Sequence, residues 1–281
     1  MLLSGLAFAC EIPEPKQVIR GYAQGTTYNI SFYGSQATKP LQQGIDSLLR
    51  RMDYALSNYR PSSQITALNS SVDTSYSLLD SCGFWRRVLS VSEEVYRASE
   101  GAFDPTVYPL VKAYGFGPGQ QPSIASDSLR EAKLALVGFN AWSWNFIGDS
   151  LIINKPKGAS LDFNAVAQGL AVDYIAEFLD SSGVESYFVE LGGEVRVGAA
   201  KPSGEPWLLG LEKPLNQTTR ELADTLSITH ISVATSGSNR KFYELDGKRF
   251  SHAINPISDI SFTEQDDSIY NESPEKKNIL V

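Results

Sequence analysis

The chain is predicted to be an α+β protein with helices packed on antiparallel sheets, and three observations carry that reading. Helical spacing dominates up to about Leu179, strand-like alternation dominates from Tyr187 onward, and Asp246-Gly247 joins two alternating stretches as a tight hairpin. A doubly wound parallel sheet would interleave strand and helix throughout.

Element by element, Thr27 to Tyr33 alternates polar and apolar residues, the period of a strand with one buried face. After Pro40, the apolar series Leu41, Ile45, Leu48, Leu49, Met52, Leu56 predicts an amphipathic helix running to about Ser57. Phe84, Val88, Val91 and Val95 predict a second helix, closed at Gly101. Ser128 and Glu131 have capping-box spacing and open a short helix expected to end at Gly138. Trp142 to Ile153 and Ala159 to Phe163 flank the turn-forming Lys155-Pro156-Lys157-Gly158, which predicts a hairpin. Asn164 is expected to cap a helix with apolar Leu170, Ala171, Tyr174, Ile175, Phe178 and Leu179, terminated at Gly183. Strands are then expected over 187–191, 194–197, 207–211, 226–234, 241–245 and 248–252. From 259 the chain reads as a polar, acidic tail, so the expected organisation is a leader over 1–17, one domain over 18–258, and that tail.

With 42% hydrophobic and only 20% charged residues over 281 positions, there is enough apolar surface to build a core, which excludes general disorder. The net charge of −8 argues against nucleic acid or anionic lipid as an electrostatic partner. Cys10, Cys82, His230 and His252 show no zinc spacing and no Cys-x-x-Cys pair. Residues 1–10, MLLSGLAFAC, resemble the end of a bacterial lipoprotein signal peptide. The expectation is a lipid anchor on Cys10, holding the protein in the cell envelope and facing the periplasm. A start codon placed too far downstream would account for the missing basic segment and the short apolar run.

The chemistry-bearing residues are scattered. Gly25-Thr26-Thr27, Gly101 to Thr106, Gly192-Gly193-Glu194 and Thr235-Ser236-Gly237 put backbone N–H groups and hydroxyls at strand ends, where together they can hold phosphate oxygens. Neither a Walker sequence nor Gly-x-Gly-x-x-Gly is present. Asp162 falls where a strand meets the amino end of a helix, as a ligand contact or as a local cap. His252 ends a hairpin strand, as a proton carrier or phosphate contact, or as a solvent-facing structural residue.

Taken together, these segments resemble the ApbE family of FAD:protein FMN transferases. The resemblance runs in order through residues 21–28, 55–69, 101–107, 114–118, 161–173, 190–194, 234–237 and 246–252. It implies an α+β fold related to the tunnelling fold and magnesium-dependent cleavage of FAD. FMN would pass to a Thr or Ser hydroxyl of an acceptor redox protein, with release of AMP. It further implies that Gln24, Tyr59, Ala102, Phe103, Asp104, Asp162, Gln168, Ser236, His252 and Ile254 line the FAD pocket, and that the Ala165 carbonyl helps hold Mg2+. His252 is the side chain nominated to take the proton of the attacking hydroxyl. The departures are Gln24 for Met, Gln168 for Lys, and Asn255-Pro256-Ile257-Ser258 where Asp-Pro-Arg-Thr is usual. The later family segment Asp-Ala-x-Ala-Thr, which carries metal ligands, has no counterpart here beyond Asp259 and Thr263, which share only its spacing. Weak Mg2+ binding and low activity are therefore expected, with FAD hydrolysis or FAD binding without turnover as the alternatives.

Overall fold

The computed structural model describes residues 14–121, 125–212, 222–235, 242–245, 248–251 and 254–257. Its central sheet is antiparallel throughout, in the order β1 (Lys16–Ala23), β2 (Thr26–Tyr33), β6 (Tyr187–Leu191), β7 (Glu194–Val197), β10 (Ile231–Val233). The first strand, at the sheet edge, is the one the alternation did not mark. It pairs with β2 through a tight turn in which Gln24 and Gly25 both have positive φ, 52° and 74°. Gly21 is required there, because a side chain would run into the ring of Tyr28, whose hydroxyl donates to Asp46 at 2.7 Å.

Alternation gives the sheet two different faces. Tyr28, Ile30 and Phe32 point with Tyr187, Val189 and Leu191 into the main core. There they meet Ile45, Leu49 and Met52 of α1 (Thr38–Leu56) and Ala171, Ile175 and Leu179 of α6 (Asn164–Ser181). The opposite face is covered by the hairpin of β8 (Trp207–Glu212) and β9 (Leu222–Ile228), whose Trp207 packs on Tyr33 and Phe188 at 5.8 and 5.9 Å. Asp173 of α6 receives Arg87 at 3.5 Å and Arg196 of β7 at 3.3 Å. Arg87 lies on α3 (Phe84–Ala98), so one carboxylate joins two helices and the sheet. The three-stranded sheet β3 (Ser75–Leu79), β5 (Ser150–Asn154), β4 (Ser143–Ile147) and the short helices α2 (Gln64–Ser70), α4 (Tyr108–Ala113) and α5 (Asp127–Leu134) complete the described part. β11 (Phe242–Leu245) and β12 (Lys248–Ser251) pair as expected, with the Asp246-Gly247 turn outside the described residues.

Four local expectations are corrected. The hairpin lies within 143–154, turning at Gly148 (φ 60°), and 159–163 forms no strand. Lys155 instead turns inward, donating to the carbonyls of Ser71 and Ala159 at 3.0 and 3.2 Å. Ser126, not Ser128, caps α5, accepting from the Leu129 N–H at 3.3 Å, and that helix stops at Leu134. Asn164 is the first residue of α6 and not its cap. The strand expected over 226–234 breaks at His230, whose φ of 50° sends β9 and β10 into different sheets.

Candidate functional site

The site forms around the amino end of α6. Asn58, from the loop between α1 and α2, and Asn69, from α2 itself, hold the main chain of Leu161. The Asn69 Nδ2 donates to the Leu161 carbonyl at 2.8 Å and its Oδ1 accepts from the Leu161 N–H at 2.7 Å, while Asn58 donates to the same carbonyl at 3.2 Å. The grip sets the next residue, Asp162, among aromatic neighbours. Asp162 Oδ1 accepts from the Asn164 N–H at 2.8 Å, so this carboxylate caps the helix, and Asp162 donates its own N–H to Pro105 at 2.7 Å.

Tyr59 and Tyr108 report the same neighbourhood electrostatically. Burial, then the Asp162 carboxylate, hold the Tyr59 phenol above its ordinary pKa, although the ring remains 57% exposed. Tyr108, the first residue of α4 and almost fully buried, is pushed up to about 12 by burial first, then by Asp162 and Tyr59.

The loop ahead of α4 is rigid. Asp104 Oδ1 accepts from the N–H and the hydroxyl of Thr106 at 2.7 and 2.6 Å, and Oδ2 accepts from the Phe139 N–H at 3.2 Å. Buried and committed in this way, Asp104 shapes the loop, while Ala102 is exposed and Phe103 is half-buried, its N–H donating to Ser99 at 3.0 Å.

A second group lies at the turn end of the central sheet. The Gly192 N–H donates to Thr27 at 3.1 Å, bringing the β6–β7 turn beside the start of β2. A side chain at Gly192 would lie 2.8 Å from Thr26 and 3.0 Å from Gln168, which places Gln168 of α6 against that turn. Gln24 occupies the adjoining β1–β2 turn with its Oε1 buried and unpartnered. Glu194, at the start of β7, has a buried, unpartnered Oε2, and burial raises its carboxyl above the ordinary value.

The structure therefore sets Tyr59, the 102–104 loop, Asp162, Ala165 and Gln168 along one helix end, with Gln24 at the neighbouring turn. Ile254 packs farther out, with Leu110 and Tyr114 of the α4 region. Cys10, Ser236, His252, Asp259 and Thr263 lie outside the described residues. Sequence reasoning did not single out Tyr108, and it marked Glu194 only as the end of the Gly192-Gly193-Glu194 turn. Asn58 and Asn69 fell within the 55–69 stretch of the resemblance, without the grip they form on Leu161 being read.

Among the described residues no three His, Cys, Asp or Glu side chains converge on a possible metal position. Mg2+ commonly uses one or two protein oxygens, several waters and substrate phosphates. Ala165, an exposed residue in the first turn of α6 three positions beyond Asp162, would bring one carbonyl beside one carboxylate, a donor set that suits such a shared ion and not a protein cage. No described helix is long and apolar enough to cross a membrane.

The sequence pattern of the ApbE family matches residues 24–267. A relative from Vibrio cholerae, an FAD:protein FMN transferase, is 34% identical over 265 residues, covering 92% of this chain and 75% of its own length. Among solved structures, flavin transferase ApbE from Vibrio cholerae superposes with a TM-score of 0.75 at 31% identity, covering 88% of this chain and 78% of that one. The apo form of Pseudomonas stutzeri flavinyl transferase ApbE gives 0.77 at 29% identity, covering 90% and 78%.

Proposed function

The chain belongs to the ApbE family, and on that footing we propose that it is an FAD:protein FMN transferase that moves FMN from FAD to a Thr or Ser hydroxyl of an acceptor protein, releasing AMP. The observation that carries the reading is the convergence of Tyr59, Asp162 and the Asp104-braced loop at the amino end of α6. The exposed Tyr59 ring offers a flat face for an aromatic ring system, and the helix end favours a pyrophosphate through its positive dipole.

In the proposed reaction the acceptor oxygen attacks the phosphorus on the FMN side and a new P–O bond forms. The bridging P–O bond breaks, its electron pair leaves with AMP, and the hydroxyl proton passes to a base. His252 is proposed as that base. In support, Ile254, two residues further on, is buried beside Leu110 of α4, the helix that bears Tyr108. Magnesium held by the Ala165 carbonyl and the substrate phosphates would neutralise charge on the pyrophosphate. Gln24 and Gln168 are proposed to contact the dinucleotide from the turn end of the sheet. Lipid anchoring at Cys10 on the periplasmic side belongs to the same proposal.

The test is incubation with FAD, Mg2+ and an acceptor domain carrying a single Thr site. A flavin-fluorescent acceptor of increased mass, one AMP per flavin, and loss of both on chelation are the expected results. AMP with free FMN and an unlabelled acceptor would replace this reading with FAD hydrolysis, and bound FAD without products with flavin storage.

A further inference from the structure

We propose that the groove between α4 and α5 seats a short acidic segment of the acceptor protein, two carboxylates around one apolar side chain, and so brings its hydroxyl to the neighbouring site. The proposal rests on the transferase reading above. The groove measures about 260 Å3 and is lined by Pro109 and Lys112 from α4, Leu129 and Lys133 from α5, and Leu136 and Ser160. Pro109 and Lys112 are three residues apart and Leu129 and Lys133 four, so each helix turns one apolar and one cationic residue to the same side.

Leu129 is 41% exposed on a helix that buries none of its residues. The segment is held from its far end, where Leu134 and Val137 pack on the Leu110 and Tyr114 cluster. The groove side of α5 is thus not needed for the fold. In a chain of net charge −8, neither lysine has an ion-pair partner among the described residues, and the Lys112 ammonium sits 5.0 Å from the centre of the Tyr108 ring. That combination of two lysines without a described carboxylate partner over an apolar floor complements carboxylates flanking an apolar side chain.

Size and position select the occupant. The groove lies below the roughly 300–1,000 Å3 of pockets that enclose drug-sized ligands, so it suits two or three side chains and not a second dinucleotide. Tyr108, beside Pro109 in sequence, belongs to the Tyr59 and Asp162 cluster, and Ser160 precedes Asp162 by two residues. At about 3.3–3.6 Å per extended residue, a segment anchored here reaches that cluster within a few residues.

The experiment compares the wild type with Lys112→Glu/Lys133→Glu in FMN transfer to the acceptor domain. In parallel, anisotropy follows a fluorescein-labelled peptide with two glutamates around a leucine, which needs no turnover. The expected result is an acceptor KM raised by about tenfold or more, with KM for FAD and the melting temperature unchanged. Peptide binding should be lost in the variant and weakened by salt in the wild type. A variant that melts normally, keeps the acceptor KM and still binds the peptide overturns the proposal, as does a wild type whose lysines bind inorganic phosphate or AMP but not the peptide. A wild type that binds the peptide through these lysines yet transfers no FMN defeats the transferase reading alone.

Discussion

Asn69 holds Leu161 by both its N–H and its carbonyl, at 2.7 and 2.8 Å, so one side-chain amide does what a neighbouring strand would do. Leu161 is fully buried, and this pairing fixes the path of the chain into Asp162. Asn69→Ala leaves the Leu161 N–H unpaired and its carbonyl with Asn58 alone, a cost of about 2–3 kcal/mol. The expected outcome is a melting temperature lower by several degrees, and FAD affinity, followed by flavin fluorescence, lowered further than in Asn58→Ala.

Asp104→Asn probes the brace of the 101–106 loop. An amide retains one accepting oxygen and points a donor at groups that are themselves donors, so about 1.5–3 kcal/mol should be lost. Urea unfolding measures this. Because the substitution changes no exposed surface, FAD binding should fall only as far as the loop loosens, and cooling should restore part of it.

Glu194 sets a pH dependence of stability. Burial raises its folded-state pKa above the unfolded value of 4.5, so the folded protein holds a proton that the unfolded chain releases. The sign follows: stability is full below about 4.5 and declines as pH rises through the folded pKa. Glu194→Gln should therefore raise the melting temperature at pH 8 and leave it nearly unchanged at pH 4, as read by scanning calorimetry.

Tyr108 acts at the alkaline end. Its folded pKa of about 12 against an ordinary 10.0 means that stability is fully present below pH 10 and lost as pH climbs toward 12. Tyr108→Phe should flatten that decline, and Asp162→Asn should shift the Tyr108 ionisation downward in an ultraviolet titration. Tyr187, also raised to about 12, keeps part of the decline in both variants.

Gly21→Ala tests the edge strand. The added methyl meets the Tyr28 ring and displaces it from Asp46, which should cost about 1–3 kcal/mol by overpacking and a lost hydrogen bond. Equilibrium unfolding checks it.

The strands over 26–33 and 187–191 and the helices α1, α3 and α6 were legible because each buries one periodic face in the main core, and 194–197 because Val195 and Val197 bury theirs on the opposite side of the sheet with Trp207. β1 escaped because an edge strand with one fully buried residue, Ile19, shows little alternation. The break at His230 escaped because a left-handed histidine leaves no mark in a run of apolar and polar residues that would serve equally well as one strand. At the site, Asp162 was readable as a helix-end acid, with both its cap and its contact roles open. Tyr108 was not, since its neighbours Tyr59 and Asp162 lie about fifty residues away on either side along the chain, and the burial of Glu194 behind its Gly-Gly turn is likewise recorded in no spacing.

Asp173 fastens two helices and a strand like a single rivet through three plates. Peeling α6 away must undo Arg87 and Arg196 together, so the helix departs with its neighbours or stays. Its amide protons should accordingly exchange with deuterium at the slow pace of whole-molecule opening. The proposed flavin cradle at its amino end would then inherit its stillness from charges two turns farther along the same helix.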